Sequence, residues 1–214
     1  MPSNLTAIEL ESILPADLPN RERVVLAATR HLELLAEVNE VMNLTRITTP
    51  RDAAIKHILD SVMPWRLFKG AKTVLDAGTG PGFPGLPLAL TLPDTRFTLA
   101  ESTGKKARFV ESVIADLKIA NARILPERVE DLGKRDRYEI ATARAFAPMP
   151  KALKMLAPLL KQGTRALLYK GPDVETEIAE ADREAKSLGV KFQILMRYEL
   201  PDGLGSRTIV QVAR

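Results

Sequence analysis

The fold of this chain is decided by the stretch Val74-Leu75-Asp76-Ala77-Gly78-Thr79-Gly80-Pro81-Gly82-Phe83-Pro84-Gly85. The apolar run that ends at Asp76 predicts a short buried strand. The glycines that follow let the backbone turn tightly and approach a ligand closely, because they carry no Cβ. A helix predicted from residue 85 would present its N-terminal N–H groups to that ligand. The stretch therefore predicts a strand, a cofactor-binding turn and a helix.

Two cofactors compete for this turn. Residues 80–85 match the dinucleotide-binding pattern G-x-G-x-x-G, and the carboxylate of Glu101 follows about 20 positions later. However, Pro81 and Pro84 remove two of the N–H donors that a pyrophosphate would use. S-adenosylmethionine has an ammonium, a carboxylate and a ribose but no phosphate, so glycines beside the carboxylate of Asp76 favour it. A third possibility is a tight turn that binds nothing, which so many glycines make less favourable.

The composition excludes several classes of site. The length of 214 residues suits one domain with an extension. The absence of cysteine excludes disulfides, zinc–thiolate clusters and thiol nucleophiles, and two histidines are too few for a histidine-rich metal site. No apolar run approaches the ~20 residues of a membrane span, and the N-terminus has no signal-peptide pattern. We therefore expect a cytoplasmic monomer without metal, and the net charge of +4 permits a polyanionic partner.

Residues 1–70 are predicted to form a helical cap. Apolar residues spaced by three or four positions predict a long helix after Asn20, which would be its N-cap. A second helix is predicted to begin at Thr49, a capping residue followed by proline and an acid, and to end at Pro64. Residues 1–19 show no clear period.

Residues 71–214 are predicted to form an α/β domain in which strands and helices alternate. The predicted strands lie at 73–76, 96–101, 122–125, 138–143, 165–169, 191–198 and 207–213. The predicted helices lie near 85–92, 105–119, 148–162 and 173–188. This alternation favours a doubly wound, Rossmann-like sheet of seven strands. The connection at 200–205 is too short for a helix, so the last strand pair should be antiparallel, an arrangement that resembles the class I methyltransferase fold.

Candidate cofactor contacts follow the ends of four strands, because ligands of such sheets bind beyond the carboxyl ends of the strands. Gly80 lies in the turn after the first strand. Glu101 ends the second strand and could accept hydrogen bonds from both ribose hydroxyls. After the third strand, Val129 and Glu130 would supply an apolar wall and an acceptor for an adenine amine, although a charged surface loop explains them equally well. Arg144 ends the fourth strand and would face the methionine carboxylate or the acceptor substrate.

The reaction is narrowed by what the sequence lacks. Without cysteine, covalent attack on carbon 5 of a pyrimidine is excluded, and no Asp/Asn-Pro-Pro-aromatic segment for an exocyclic amine follows the fourth strand. Guanine N7 already carries a lone pair and loses no proton on methylation, so its methylation needs positioning and exclusion of water. A site without a general base is therefore compatible with N7, and no catalytic residue is assigned.

Several side chains are candidates for contacts with RNA. Four of them are basic, Arg46, Lys105, Lys106 and Lys170, and the fifth is His57. Lys105 and Lys106 fall in the first turn of a helix, where the dipole disfavours cations, so a phosphate contact competes with a solvated face as their explanation. An aromatic plane for stacking on a base could come from the following residues, each of which could instead belong to the core: Phe83, Phe146, Trp65 and Tyr169.

Five segments together are more specific than any glycine pattern. They are Asn43-Leu44-Thr45, His57-Ile58-Leu59-Asp60-Ser61, residues 76–85, Ser102-Thr103-Gly104-Lys105-Lys106 and Arg144-Ala145-Phe146-Ala147. With them, the chain from about residue 39 onward resembles the bacterial 16S ribosomal RNA guanine-N7 methyltransferase family, also called glucose-inhibited division protein B. The resemblance implies S-adenosylmethionine-dependent methylation of one guanine in the decoding region of the small ribosomal subunit. It also implies cofactor contacts at Gly78, Phe83, Val129, Glu130 and Arg144.

Two other functions compete with this hypothesis. A nicotinamide-dependent oxidoreductase would bind a dinucleotide phosphate at the first turn, which Asp76 and the two prolines disfavour. A non-catalytic RNA-binding module that keeps a degenerate fold should have an eroded glycine turn, whereas the turn of this chain is intact.

Overall fold

A seven-stranded sheet forms the centre of the computed structural model, which describes residues 3–214. Its strands are β1 (Thr73–Ala77), β2 (Arg96–Ala100), β3 (Ala122–Leu125), β4 (Ile140–Arg144), β5 (Arg165–Lys170), β6 (Lys191–Glu199) and β7 (Ser206–Ala213). They lie in the order β3-β2-β1-β4-β5-β7-β6. The first five in this order are parallel, and β7 is antiparallel to both β5 and β6. The predicted α/β class, the seven strands and the antiparallel last pair are confirmed.

Helices cover the sheet on both faces. The α-helical segments are α1 (Ser3–Ile13), α2 (Arg21–Met42), α3 (Pro50–Ala53), α4 (Asp60–Val62), α5 (Gly85–Thr91), α6 (Gly104–Asp116), α7 (Val129–Arg135), α8 (Met149–Lys161), α9 (Val174–Glu180) and α10 (Asp182–Leu188). A π-helical turn, Ala54–Leu59, joins α3 to α4. Among residues 3–214, no helix is both long and apolar enough to cross a membrane.

The strand order places a crevice at the ends of β1 and β4. The chain runs from β1 outward to β2 and β3, and then returns to the other side of β1 as β4. Strand β1 is buried from Val74 to Ala77, as expected for a parallel strand covered on both faces. Loops that follow β1 and β4 diverge at this reversal, which is where open α/β sheets bind their ligands.

The helices before β1 share one hydrophobic core with a face of the sheet. Leu10 of α1, Val25 of α2 and Ile55 of the π-helical turn belong to the same buried cluster as Phe97 and Leu99 of β2. The cap is therefore packed directly against the sheet. The predicted boundary at residue 70 separates the helical segment from the sheet along the chain. It does not separate two cores, since apolar side chains on both sides of it bury one another.

Two capping predictions had different outcomes. Thr49 is the N-cap of α3, and its hydroxyl accepts a hydrogen bond from the backbone N–H of Asp52 at 3.2 Å, as predicted. Asn20 is at the N-cap position of α2, but its backbone is left-handed and its side chain makes no capping bond. Instead, the amide nitrogen of Asn20 donates to the carbonyl of Thr91 at 3.4 Å. A tertiary contact therefore replaces the local cap.

Helix α7 was not predicted, because Gly133 and the charged residues around it interrupt its apolar pattern. Its sequence does carry an electrostatic signal. Glu130 and Asp131 lie in the first turn, and Lys134 and Arg135 lie in the last turn, which complements the helix dipole at both ends.

The ends of the chain show two further differences. Helix α1 occupies part of the segment 1–19, for which no period was evident, and residues 1 and 2 lie outside the described range. The helix predicted at 173–188 is two helices, because the chain bends at Ala181, which is both the C-cap of α9 and the N-cap of α10.

Candidate functional site

A cleft of about 1090 Å³ opens beyond the carboxyl ends of the parallel strands. Its walls come from the glycine turn after β1, the cap, and the loops after β4 and β5. The predicted site residues that line it are Gly78, Gly80, Phe83, Glu101, Arg144, His57, Lys106 and Lys170. The tertiary structure thus brings most of the predicted residues to one place.

Asp76 closes the glycine turn from beneath. Its side chain is fully buried, and one carboxylate oxygen, Oδ2, accepts hydrogen bonds from the hydroxyl of Thr79 at 2.6 Å and from the N–H of Gly85 at 2.8 Å. The other oxygen, Oδ1, is buried without a partner among residues 3–214. Burial raises the pKa of Asp76 to about 6, against the effect of its two hydrogen bonds. Asp76 therefore joins the two ends of the turn, where substitution would leave buried donors unpaired.

The first two glycines of the turn have left-handed backbones, with φ of 68° at Gly78 and 59° at Gly80. L-residues with a side chain adopt this conformation at a cost. A Cβ on Gly78 would lie 2.6 Å from the Cδ2 atom of Phe146, whereas a Cβ on Gly80 would meet no atom within 4 Å. Gly78 is therefore required by a neighbouring ring, and Gly80 leaves open space in the cleft for a ligand.

Glu101 directly follows β2, whose last residue is Ala100, and lies at the side of the cleft. Its Oε2 atom accepts from the N–H of Gly80 at 3.1 Å, and its Oε1 atom accepts from the N–H of Thr103 at 2.8 Å. A carboxylate oxygen has two lone pairs, so each oxygen retains one for a ligand hydroxyl. The carboxylate both holds the glycine turn and remains a candidate acceptor for a ribose.

Arg144 lies at the wall of the cleft and is held by the cap. Its guanidinium donates to the carboxylate of Asp60 at 3.0 Å and to the carbonyl of Lys56 at 2.8 Å. The same carboxylate accepts from Arg207 at 3.3 Å and from the hydroxyl of Tyr198 at 2.8 Å. One buried negative charge thus faces two guanidinium groups, which leaves this part of the cleft with a net positive charge suited to an anionic group.

Phe83 stacks on two histidines of the cap. Its ring centroid lies 4.7 Å from that of His31 and 4.5 Å from that of His57, and the ring of Phe83 is 4% exposed. A ring nitrogen of His31, Nε2, donates to the carbonyl of Pro81 at 2.8 Å, and Nε2 of His57 pairs with the hydroxyl of Thr45 at 3.1 Å. Little of the Phe83 ring therefore remains for contact with a cofactor.

Burial keeps both histidines neutral. It lowers the pKa of His31 to about 4. Burial is also the main cause that lowers the pKa of His57 to about 3, and the positive charge of Arg144 adds to it. His57 therefore lines the cleft as a neutral ring at pH 7, and any contact that it makes with RNA is not a charge contact.

Val129 and Glu130 begin helix α7. The side chain of Val129 is buried in the core on the α8 face of the sheet. The Oε2 atom of Glu130 is buried and has no hydrogen-bond partner among the described residues. Neither residue lines the cleft, so their contact with an adenine stays a prediction, and the unpaired oxygen of Glu130 is the feature consistent with it.

The basic candidates differ in their surroundings. Arg46 is exposed outside the cleft, and Lys106 is half-buried at the cleft wall. Lys105 is exposed but donates to the carbonyl of Met42 at 3.1 Å. The ammonium of Lys170 is buried in an ion pair with Glu177, at 2.6 Å. Lys106 therefore combines a position in the cleft with a charge that no carboxylate of residues 3–214 pairs.

Three residues of the site were missed by the sequence analysis as functional candidates. Asp60 lies within a segment quoted for its resemblance, but its role as the acceptor for Arg144 had no local signal. His31 entered the sequence analysis only as one of the two histidines that are too few for a histidine-rich metal site. Arg207 is 147 positions from Asp60 in sequence, a separation at which no pattern in a single sequence is informative. Within residues 3–214, no three histidine, aspartate or glutamate side chains are grouped as metal ligands would be.

Several solved structures with a similar fold are methyltransferases. A magnesium protoporphyrin IX methyltransferase from Synechocystis PCC 6803 has 15% identity and a TM-score of 0.58, over 86% of this chain and 97% of that chain. An O-methyltransferase from Streptomyces achromogenes has 15% identity and a TM-score of 0.57, over 88% and 90% of the two chains. Such low identities show the fold alone, and they confirm the predicted class I methyltransferase fold.

Proteins with similar sequences identify the family more specifically than the solved structures do. The family model of GidB, rRNA small subunit methyltransferase G, matches residues 26–201. A ribosomal RNA small subunit methyltransferase G from Solibacter usitatus (strain Ellin6076) is 59% identical over 96% of this chain and 98% of its own. Another from Carboxydothermus hydrogenoformans is 36% identical over 85% of this chain and 79% of its own. The chain therefore belongs to the rRNA small subunit methyltransferase G family, as the resemblance predicted.

Proposed function

We propose that this protein transfers the methyl group of S-adenosylmethionine to N7 of a guanine in the 16S ribosomal RNA of the small subunit. The observation that carries the proposal is the glycine turn held between Asp76 and Glu101 at the mouth of the cleft, in a chain of this family. The oxidoreductase and the non-catalytic RNA-binding module receive no support from the family or from the fold neighbours.

The residues present fit the cofactor. Gly80 leaves space for close approach of a ligand to the backbone, and Glu101 retains lone pairs for ribose hydroxyls. Arg144 would pair with the methionine carboxylate, because the positive charge around Asp60 exceeds the negative charge by one. The resemblance implies further contacts at Gly78, Phe83, Val129 and Glu130. Of these, Gly78 and Phe83 line the cleft, and Phe83 could contribute only the small part of its ring that is not stacked on the two histidines.

The proposed methyl transfer requires the side chains mainly to position the two substrates. When bound, the cofactor would supply a methyl group on a sulfonium sulfur, and the lone pair of guanine N7 would form the new N–C bond as the C–S electron pair returned to sulfur. No proton is removed, so the chain needs no general base. His57 is consistent with this, because a ring whose pKa lies at about 3 is a weak base. The protein would contribute mainly the orientation of the two substrates.

The RNA would approach across the cleft mouth. Lys106 of the cleft wall would contact a phosphate, and Arg46 of the cap and Lys105 of α6 would extend this contact outside the cleft. Phosphate contacts position a substrate without reading its sequence. Lys170 would act on the loop after β4 through its bond to Ala147. Cytoplasmic location and the monomeric state stay predictions.

The test is methylation of small ribosomal subunits that lack the modification. The protein is incubated with methyl-labelled S-adenosylmethionine and these subunits, and the labelled base is located by borohydride–aniline cleavage at 7-methylguanine and by nucleoside mass spectrometry. We expect label in one 7-methylguanine of 16S RNA. Label in another base or on another atom of guanine, or binding of a nicotinamide dinucleotide without binding of S-adenosylmethionine, would refute the proposal.

A further inference from the structure

Most aromatic rings near the cleft are unavailable to a ligand. Trp65 is 7% exposed, and Phe83 and Tyr169 are each 4% exposed. Phe83 is stacked on two imidazoles, and the hydroxyl of Tyr169 donates to the carbonyl of Ser61 at 2.7 Å. Phe146 differs because it is only partly buried and lines the cleft. Among the four stacking candidates, Phe146 is the ring with surface open to the cleft.

The loop that carries Phe146 is anchored on both sides. Before it, Arg144 donates to the carbonyl of Lys56 at 2.8 Å. After it, the buried ammonium of Lys170 donates to the carbonyl of Ala147 at 2.9 Å. A side chain that is presented by a loop with two such anchors is restricted in position before any ligand arrives, which is the arrangement that favours accurate placement of a substrate.

Backbone strain also sets the direction of the ring. Ala145 has a left-handed backbone, with φ of 50°, a conformation that residues other than glycine keep only when their surroundings enforce it. The loop that bends at Ala145 places the ring of Phe146 against Gly78, so close that a Cβ on this glycine would lie 2.6 Å from the ring. The ring therefore lies at the boundary between the glycine turn and the rest of the cleft.

The cleft is slightly larger than a usual pocket for one small ligand. A pocket for a single small ligand usually measures about 300–1,000 Å³, whereas this cleft measures about 1090 Å³. The space beyond Phe146 extends along the loops after β4 and β5, past Pro148 and Gly171. The glycine turn and Phe146 therefore line one continuous cleft that also reaches the loops after β4 and β5.

We infer that Phe146 stacks on the acceptor guanine and places its N7 toward the donated methyl group. This inference rests on the proposed function and adds to it a residue that contacts the substrate. Enzymes that modify a base take it out of the helical stack and hold it against an aromatic or apolar side chain. Stacking is tolerant of base identity, so Phe146 would position the base, and selection of guanine would come from other groups of the cleft.

The test compares substitutions at Phe146 that separate shape from aromatic character. Removal of a stacking partner costs about 5- to 150-fold in binding of a base. We expect Phe146→Ala and Phe146→Leu to lower kcat/KM for small subunits by a factor in this range, because leucine keeps the apolar volume without a π face. Phe146→Tyr should recover most of the activity. S-adenosylhomocysteine affinity, measured by calorimetry, should stay within about twofold in all three variants.

Phe192→Leu is the matched control. Phe192 is also partly buried and packs against the same core cluster, but it lies on β6 and does not line the cleft. Its substitution should leave kcat/KM unchanged. If Phe146→Leu were as active as the unmodified protein, the aromatic ring would not contribute to catalysis and the inference would be wrong. If the variant lost affinity for S-adenosylhomocysteine by the same factor as kcat/KM, Phe146 would be a cofactor wall and the inference would also be wrong.

A binding measurement keeps the two proposals separable. In Phe146→Trp, titration with guanosine monophosphate in the presence of S-adenosylhomocysteine should quench the fluorescence of the introduced indole in a saturable way. The unmodified protein, whose single tryptophan Trp65 is buried, should show no such quenching. Quenching in Phe146→Trp together with no methylation of subunits by the unmodified protein would refute the proposed function and support stacking. Methylation by the unmodified protein together with no quenching in Phe146→Trp would overturn the stacking role alone.

Discussion

The imidazole of His57 lies flat on the ring of Phe83, with the ring centroids 4.5 Å apart and the planes inclined by 4°. His57 belongs to the π-helical turn of the cap, whereas Phe83 belongs to the glycine turn after β1. With His31 stacked on the same ring, the contact joins two cap helices to the cofactor turn. The cap is therefore part of the structure that shapes the cleft beside the glycine turn.

These buried histidines should make stability depend on pH. Both are protonated near pH 6.5 in the unfolded chain, but only near pH 4 (His31) and pH 3 (His57) in the folded one. Between about pH 4 and 6 the unfolded state therefore binds two more protons at these sites, while Asp76, with its pKa raised to about 6, binds one more in the folded state. The net difference of one proton should lower the free energy of unfolding by about 1.4 kcal/mol for each unit that the pH falls.

Urea unfolding between about pH 4.5 and pH 6 measures this slope. His57→Asn removes one of the two histidine contributions and should flatten the slope of the unmodified protein by about 1.4 kcal/mol per pH unit. The comparison of the two proteins cancels the titration of the surface carboxylates. Parallel slopes would mean that His57 is not buried in its neutral form.

The two left-handed glycines should respond differently to alanine. Each substitution carries a backbone cost of about 1–2 kcal/mol. Gly78→Ala also places a Cβ 2.6 Å from Phe146, whereas Gly80→Ala places one in open space. We expect Gly78→Ala to lower the free energy of unfolding by at least about 1 kcal/mol more than Gly80→Ala does. Chemical denaturation of both variants tests this order, and equal losses would place the ring of Phe146 elsewhere.

Asp60 should be more important for stability than its sequence position indicates. Its carboxylate is 3% exposed and accepts from both Arg144 and Arg207. Removal of the negative charge by Asp60→Asn leaves two guanidinium groups facing each other, and breaking such a buried pair costs about 3–5 kcal/mol.

The matched control for Asp60 is Asp52→Asn. Asp52 pairs with Lys56 at 3.1 Å, but its side chain is 37% exposed, and exposed pairs contribute about 0–1 kcal/mol. Urea unfolding of both variants should show a clear difference between them. A loss at Asp60 as small as that at Asp52 would contradict the role of the buried carboxylate.

The salt dependence of RNA binding should separate two adjacent lysines. Lys106 lines the cleft, whereas the ammonium of Lys105 is bonded to the carbonyl of Met42. Loss of one phosphate contact reduces the slope of log K against log salt concentration by about 0.7–0.9. We expect this reduction for Lys106→Ala and a smaller one for Lys105→Ala, measured by filter binding of small subunits over a range of salt concentrations. The reverse order would place the RNA along the outer face of α6.

Local patterns were sufficient for most of the fold. The alternation of strands and helices, the glycine turn and the short 200–205 connection predicted the seven-stranded sheet with its antiparallel pair. They worked because periodicity and turn residues act over a few positions of the chain. Helix α7 could not be predicted, because a short, charged helix with a glycine has no apolar period. The capping role predicted for Asn20 is wrong, because its side chain is bonded to Thr91 instead of its own helix.

Prediction of the site required the tertiary structure as well as the local sequence. The residue types around the turn predicted the cofactor and placed Gly80, Glu101 and Arg144 at strand ends, since the chemistry of a strand–turn–helix unit is local. Tertiary packing alone decided that Asp60 meets an arginine 147 positions away, that His57 is a buried neutral ring and that Phe146 keeps an open surface. Such contacts join segments that are distant in the chain, and burial and charge pairing act only after those segments have come together.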